Sequence, residues 1–219
     1  MIRPSLKEFK KLTKKGNVIP VYKEINADLD TPVSAFLKIR KDDYAFLLES
    51  VEGQEKVARY SFLGSVPSLV FKSKGRNIEI IYPANKAVKK FTAKSTPIDE
   101  IKKIMRDFKS VKVSGLPRFC GGLVGFIGYD TVRFFEELPD KNPDELKVPD
   151  AVLILADTLL IFDHVNHTIK IVSNVILPKG QTSPKKIIDF YNKAVKRIES
   201  IQTDFNKVLV EPKAKELCR

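Results

Sequence analysis

Apolar positions along the chain recur at two spacings, every second residue or in short runs in some stretches and every three to four residues in others, which divides it into strands and helices. Tyr44 to Leu48 and Tyr60 to Leu63 are apolar runs flanking a polar stretch with one glycine, Gly53, and read as antiparallel strands. Ser68 to Ser73 and Asn77 to Tyr82 flank Lys74, Gly75 and Arg76, a hairpin pattern with glycine in the turn. Ala151 to Phe162 reads as one long apolar strand, with Thr168 to Ile176 as its partner and the segment around His164 and His167 as the connection. Asn17 to Glu24 reads as a short strand interrupted by Pro20, which places it at a sheet edge because proline donates no hydrogen bond to a ladder. Pro83 to Ser95 is lysine-rich and weakly patterned, a loop or poor strand.

Capping residues mark the helices. Ser5 and Glu8 form a capping-box pair ahead of Leu6, Phe9 and Leu12, with Gly16 as the stop. Thr31 precedes Pro32, and Val33, Phe36, Leu37 and Ile39 supply the inner face of the second helix. Thr96, Pro97 and Asp99 open a third, with Ile98, Ile101, Ile104, Met105 and Phe108 on one side. Ser183 and Pro184 start the longest, in which Ile187, Tyr191, Ala194, Ile198 and Ile201 keep helical spacing. The fold class this predicts is α+β, a mainly antiparallel sheet layer or layers with helices packed on the outside.

Composition narrows the classes. The chain has 219 residues, 43% of them hydrophobic, enough for a substantial core. No run approaches the roughly 20 apolar residues of a membrane span, and the N-terminus lacks the apolar segment of a secretory signal, so no membrane partner and a cytoplasmic location are expected. Cys120 and Cys218 lie far apart in no ligand pattern, the first read as packing and the second as a tail thiol. His164 and His167 beside Asp163, three residues apart in a turn, do not make a metal site.

The net charge of +12 raises nucleic acid as a partner. The lysines, however, are spread along the whole chain with no dense basic block and no recognition motif, so no nucleic-acid partner is expected. Gly121, Gly122, Gly125 and Gly128 alternate with Leu123, Val124, Phe126 and Ile127. They lack the phosphate-loop pattern and read as a strand that another backbone or an aromatic ring approaches closely.

One place combines groups able to hold a zwitterion. Leu47 and Leu48 give way to Glu49 and Ser50 at the end of one strand, and Arg59, Tyr60 and Ser61 open the next. The carboxylate suits an ammonium, Arg and Ser suit a carboxylate, and the leucines suit a side chain. A solvated strand end is the plainer reading of the same residues.

The wording of four stretches adds to this. Leu-Leu-Glu-Ser at 47–50 followed by Ala58 to Gly64, the earlier Val18 to Phe36, Gly121 to Pro139, and Ile154 to His164 together resemble, in order, the N-terminal region of anthranilate synthase component I, within the chorismate-utilising family. The resemblance implies that residues 1–210 form the N-terminal domain of that sandwich fold and 211–219 a charged tail, with the C-terminal catalytic half absent. It implies that the full enzyme, a lyase, converts chorismate and ammonia to anthranilate and pyruvate in tryptophan biosynthesis, with Mg2+ bound by that absent half. This chain would then hold no catalytic and no metal-binding residue and be inactive alone.

By the same resemblance L-tryptophan is the feedback inhibitor, with Leu48, Glu49, Ser50, Arg59, Tyr60 and Ser61 as candidate effector-binding residues. The partners implied are the chain's own C-terminal half and a glutamine amidotransferase subunit, component II. Gly121 to Pro139 would be a core strand entering a short helix with Asp130 as its N-cap. Component I of aminodeoxychorismate synthase and a stand-alone amino-acid-binding regulatory module are the alternatives.

Overall fold

The computed structural model describes residues 1–27, 29–41, 43–49, 59–139, 143–178, 180, 182–205 and 207. In chain order the elements are β1 (Ile2–Arg3), α1 (Leu6–Leu12), β2 (Val18–Asn26), α2 (Pro32–Ile39), β3 (Ala45–Leu48), β4 (Tyr60–Ser65), β5 (Val70–Lys74) and β6 (Asn77–Tyr82). There follow β7 (Ala87–Thr92), α3 (Pro97–Arg106), β8 (Gly122–Ile127), β9 (Ala151–Ala156), β10 (Thr158–Asp163), β11 (Thr168–Ile176) and α4 (Pro184–Phe205). The strands form two antiparallel sheets, one of six strands in the order β1-β2-β11-β10-β4-β3 and one of five in the order β7-β6-β5-β9-β8.

Strand alternation gives each sheet two apolar faces. On one side of the six-stranded sheet, Ile19, Val21, Leu63, Leu160 and Ile171 pack with Phe9 of α1, Ala35 of α2 and Ile198 of α4. On its other side, Tyr22, Leu159, Ile161 and Val172 meet Phe46 and Phe119. Those two rings also pack on Val70, Val124 and Ile154 of the five-stranded sheet, so the sheets lie face to face. The far side of the second sheet, with Phe71, Ile80 and Leu153, is covered by Ile101 and Ile104 of α3. The architecture is the expected α+β class, a sandwich of two sheets with helices outside both.

The capping boxes are present in α1, α2 and α3, from Ser5, Thr31 and Thr96 with Glu8, Ser34 and Asp99 as their partners. Among the described residues no helix is long and apolar enough to cross a membrane.

Six expectations need correction. The apolar run 151–162 is not one strand: β9 belongs to the five-stranded sheet and β10 to the six-stranded one, and the chain changes sheets at Asp157, whose N–H bonds back to Leu155 O at 2.9 Å. Pro20 does not make β2 an edge. Opposite Pro20, Asn174 sends its N–H the other way, to Asp157 O, so this pair exchanges no ladder bond and the missing donor costs nothing toward β11. On the other flank β1 reaches only Tyr22 and Lys23.

The inner face of α2 is Pro32, Ala35 and Ile39, with Phe36 against the core, while Val33 and Leu37 are exposed. The short helix after β8 is a 3-10 turn, Tyr129–Phe134, with Gly128 at its N-cap; the Asp130 carboxylate goes to Arg133 instead. Within 83–95 lies a formed edge strand, β7, paired along its whole length with β6.

Gly16 follows α1 but does not end it; the helix closes at Leu12 with Thr13 as C-cap. Its lack of a side chain serves another purpose, since a Cβ there would lie 2.4 Å from Lys109 O. The close approach expected of the glycine-rich strand is real at Gly125, where a Cβ would meet Val152 O of β9 at 2.0 Å. Cys120 packs at the inter-sheet core, and burial pushes its thiol pKa up. Gly53, Cys218 and the tail 211–219 lie outside the described residues.

Candidate functional site

The zwitterion candidates sit where β3 ends and β4 begins. The two strands pair antiparallel with Leu48 opposite Phe62, so the register carried one residue further sets Glu49 beside Ser61. On its other flank β4 pairs with β10, Tyr60 opposite Asp163 and Phe162 opposite Ser61. His164 N–H donates to Arg59 O at 2.9 Å and extends that ladder past the last strand residue.

The electrostatic centre of this strand end is Asp163, 2% exposed. Arg59 donates to it from Nε at 3.0 Å and from Nη2 at 2.8 Å, a bidentate clasp. Asn166, three residues on in the β10–β11 turn, donates its backbone N–H at 3.3 Å and its side-chain amide at 2.9 Å. Burial alone would raise the Asp163 pKa; Arg59 and Asn166 outweigh it and hold the carboxyl at about 2. Lys170 of β11 is also buried, with Nζ 3.0 Å from Glu24 Oε2 and 3.8 Å from Asp163 Oδ2, so its charge is compensated from both sides.

The six candidate residues have different surroundings. Glu49 is exposed at the end of β3, and Leu48 is about half exposed. Arg59 lies over the Tyr60 ring at 5.0 Å while clasping Asp163. Tyr60 packs beside Phe62, with ring centroids 6.1 Å apart, on the inter-sheet side. Ser61 is fully buried, its Oγ 2.8 Å from His164 Nε2. Ser50 lies outside the described residues.

The β3–β4 pairing brings Leu48 and Glu49 next to the start of β4, where Arg59 lies over the Tyr60 ring and Ser61 is bonded to His164. Tyr60 and Phe62 give this strand end an apolar surface. The wall behind that surface is aromatic: Phe62 meets Phe119 edge to face at 5.1 Å, and Gly64 makes room for Phe46, whose ring a Cβ would approach at 2.6 Å. Sequence reasoning missed Asp163 and Lys170 as site residues. An aspartate closing a strand three residues before an asparagine was the available sign for the first. A lysine inside an apolar strand carried none.

Among the described residues no three His, Cys, Asp or Glu side chains converge as a metal site would require, so no step is assigned to a metal here.

Comparison with known proteins now bears on the chain. It is 41% identical over 175 residues to anthranilate synthase component 1 of Acetivibrio thermocellus, which covers 80% of this chain and 35% of that protein. It is 37% identical over 211 residues to the component 1 of Aquifex aeolicus (strain VF5), covering 95% of this chain and 42% of the relative. The chain is homologous to anthranilate synthase component 1. A probable anthranilate synthase component 1 of Schizosaccharomyces pombe matches at 35% over 207 residues, 92% of this chain and 37% of that one.

The chain thus spans well under half the length of the component 1 relatives it matches. Because the Aquifex aeolicus match leaves out only 5% of the chain, the aligned span contains both Arg59 and Asp163. A solved structure, anthranilate synthase component I from Streptococcus pneumoniae TIGR4, aligns with TM-score 0.47 and 23% identity over 80% of this chain and 36% of that one. No family model matches the chain.

Proposed function

We propose that this chain is the N-terminal, structural and effector-sensing portion of an anthranilate synthase component 1 acting in the cytoplasm. The observation that carries the reading is the 37% identity to the Aquifex aeolicus component 1 across 95% of the chain. The whole enzyme, a lyase of tryptophan biosynthesis, would convert chorismate and ammonia to anthranilate and pyruvate, with ammonia from a glutamine amidotransferase subunit. Mg2+ and the reacting groups would belong to the remainder of the enzyme. Aminodeoxychorismate synthase component I is the rival reading; the named relatives favour the anthranilate enzyme.

The β3–β4 edge would take L-tryptophan, its ammonium at Glu49, its carboxylate toward Arg59, and its indole along Leu48 and Tyr60. Feedback then requires that tryptophan bind better to the less active arrangement of this portion and the catalytic remainder. That remainder would dock on the free side of the edge strand β8, where Phe126, Ile127, Tyr129 and Phe135 are exposed.

The test is to join this chain to the remaining part of the Acetivibrio thermocellus component 1 and assay chorismate, ammonia and Mg2+ for anthranilate fluorescence, with the chain alone in parallel. Anthranilate from the joined protein, inhibited by tryptophan, and none from the chain alone is the expected result. Aminodeoxychorismate as the product, or anthranilate from the chain alone, would overturn it.

A further inference from the structure

We infer that the face where the ends of α1 and α3 meet is a docking surface for an acidic polypeptide, separate from the β3–β4 edge. Lys14, Lys15, Arg106 and Lys109 line one open hollow of about 470 Å3 there. Arg3, Lys11, Lys112 and again Lys15 line a second of about 550 Å3, so the two are continuous through Lys15. All of these cations are exposed, and among the described residues none forms an ion pair. The carboxylates among the lining residues are Glu8, whose Oε2 accepts from the Ser5 hydroxyl at 2.7 Å, and Asp107.

The positions of these charges are fixed by the backbone. Asn17 joins the three segments that bear the first hollow, accepting from Lys109 N–H at 2.7 Å and donating to Asp107 O at 2.8 Å and Leu177 O at 3.4 Å. Gly16 lets the chain after α1 lie directly on Lys109 O. A rigid framework lowers the ordering cost of docking. Helix C-termini favour nearby cations and account in part for Lys14, Lys15 and Arg106. They do not account for Lys109 and Lys112, which follow α3 in irregular backbone, or for Arg3 in β1.

Seven cations against two carboxylates leave the surface net positive, and an anionic partner relieves the repulsion among them. Three features select a polypeptide. Ile2, Leu12, Leu177 and Pro178 lie among the cations, the mixture a protein interface uses. The lining residues include no aromatic ring on which a single-stranded nucleic acid would stack. A second copy of this chain, carrying the same +12 charge, is repelled.

The experiment measures fluorescence anisotropy of a labelled poly-L-glutamate of about 20 residues against the full 219-residue chain in about 100 mM salt. The triple variant Lys14→Glu, Lys15→Glu, Lys109→Glu is compared with Lys89→Glu, Lys94→Glu, Lys196→Glu, which changes net charge equally on other surfaces. The corresponding Lys→Gln sets guard against misfolding. At least about tenfold weaker binding for the first triple and less than about threefold for the second is expected. Equal losses in both, no binding by the unaltered chain, or more than about tenfold tighter binding of duplex DNA through the same residues would each overturn the proposal.

Discussion

Arg59 and Asp163, 104 residues apart in sequence, are joined by two parallel hydrogen bonds of 3.0 and 2.8 Å that close the end of the β4–β10 pair. The clasp turns the guanidinium over the Tyr60 ring, and Ser61 beside it bonds the next residue of the turn, His164. The geometry of the candidate effector edge therefore depends on a carboxylate contributed by the β10–β11 hairpin.

That dependence has a pH signature. The folded pKa of Asp163, about 2, lies below the ordinary value of 3.8, so its stabilising contribution is complete above pH 4 and is lost as pH falls from about 4 to about 2. At neutral pH it amounts to about 2 kcal/mol. Asp163→Asn is expected to lower stability in urea by about 2 kcal/mol at pH 7 and by much less at pH 2, reducing the slope between. Parallel stability–pH curves for the two proteins would refute the assignment.

A second expectation concerns backbone contact in β8. Gly125 has φ of 151°, and a Cβ would strike Val152 O at 2.0 Å, whereas Gly75, in the β5–β6 turn with φ of 51°, has nothing within 4 Å. Gly125→Ala must move one strand away from the other and is expected to cost about 3 kcal/mol or more. Gly75→Ala should cost about 1 kcal/mol, the left-handed strain alone. Thermal unfolding of both variants checks the order, and equal shifts would show that β9 yields freely.

Asn17→Ala removes the amide that ties Asp107, Lys109 and Leu177 together. A loss of about 1–3 kcal/mol is expected, with faster amide exchange at Lys109 than in β10. Exchange unchanged at Lys109 would mean that the bridge Val18↔Ser110 holds the segment by itself.

For the effector edge, Glu49→Gln in the joined enzyme should raise the tryptophan concentration needed for half inhibition by at least about tenfold, with uninhibited turnover little altered. Ser50→Ala is expected to weaken inhibition in the same way, by loss of a hydrogen bond. An undisturbed inhibition curve in both variants would place the effector elsewhere.

Local chemistry was legible without coordinates. The capping boxes of α1 and α3, the Thr31 cap of α2, the Lys74–Arg76 hairpin and the pairing of β3 with β4 each depend on residues a few positions apart whose side chains and turn preferences act directly on the neighbouring backbone. Periodicity was less informative wherever both faces of an element are covered. Ala151 to Ala156 and Leu159 to Phe162 are apolar without alternation because β9 and β10 are each buried on both sides, so only the polar pair Asp157 and Thr158 marked the change of sheet.

The sequence by itself determined helices α1 to α4, most of the strands, the α+β class and the cluster of groups where β3 gives way to β4, because those follow from neighbours along the chain. Tertiary structure alone decided that β2 lies inside its sheet, that Asp163 captures Arg59, and that scattered cations such as Lys15, Lys109 and Lys112 share one face. Each of these is a meeting of residues brought together by packing two sheets face to face, and the identity of such partners is written nowhere in the local sequence.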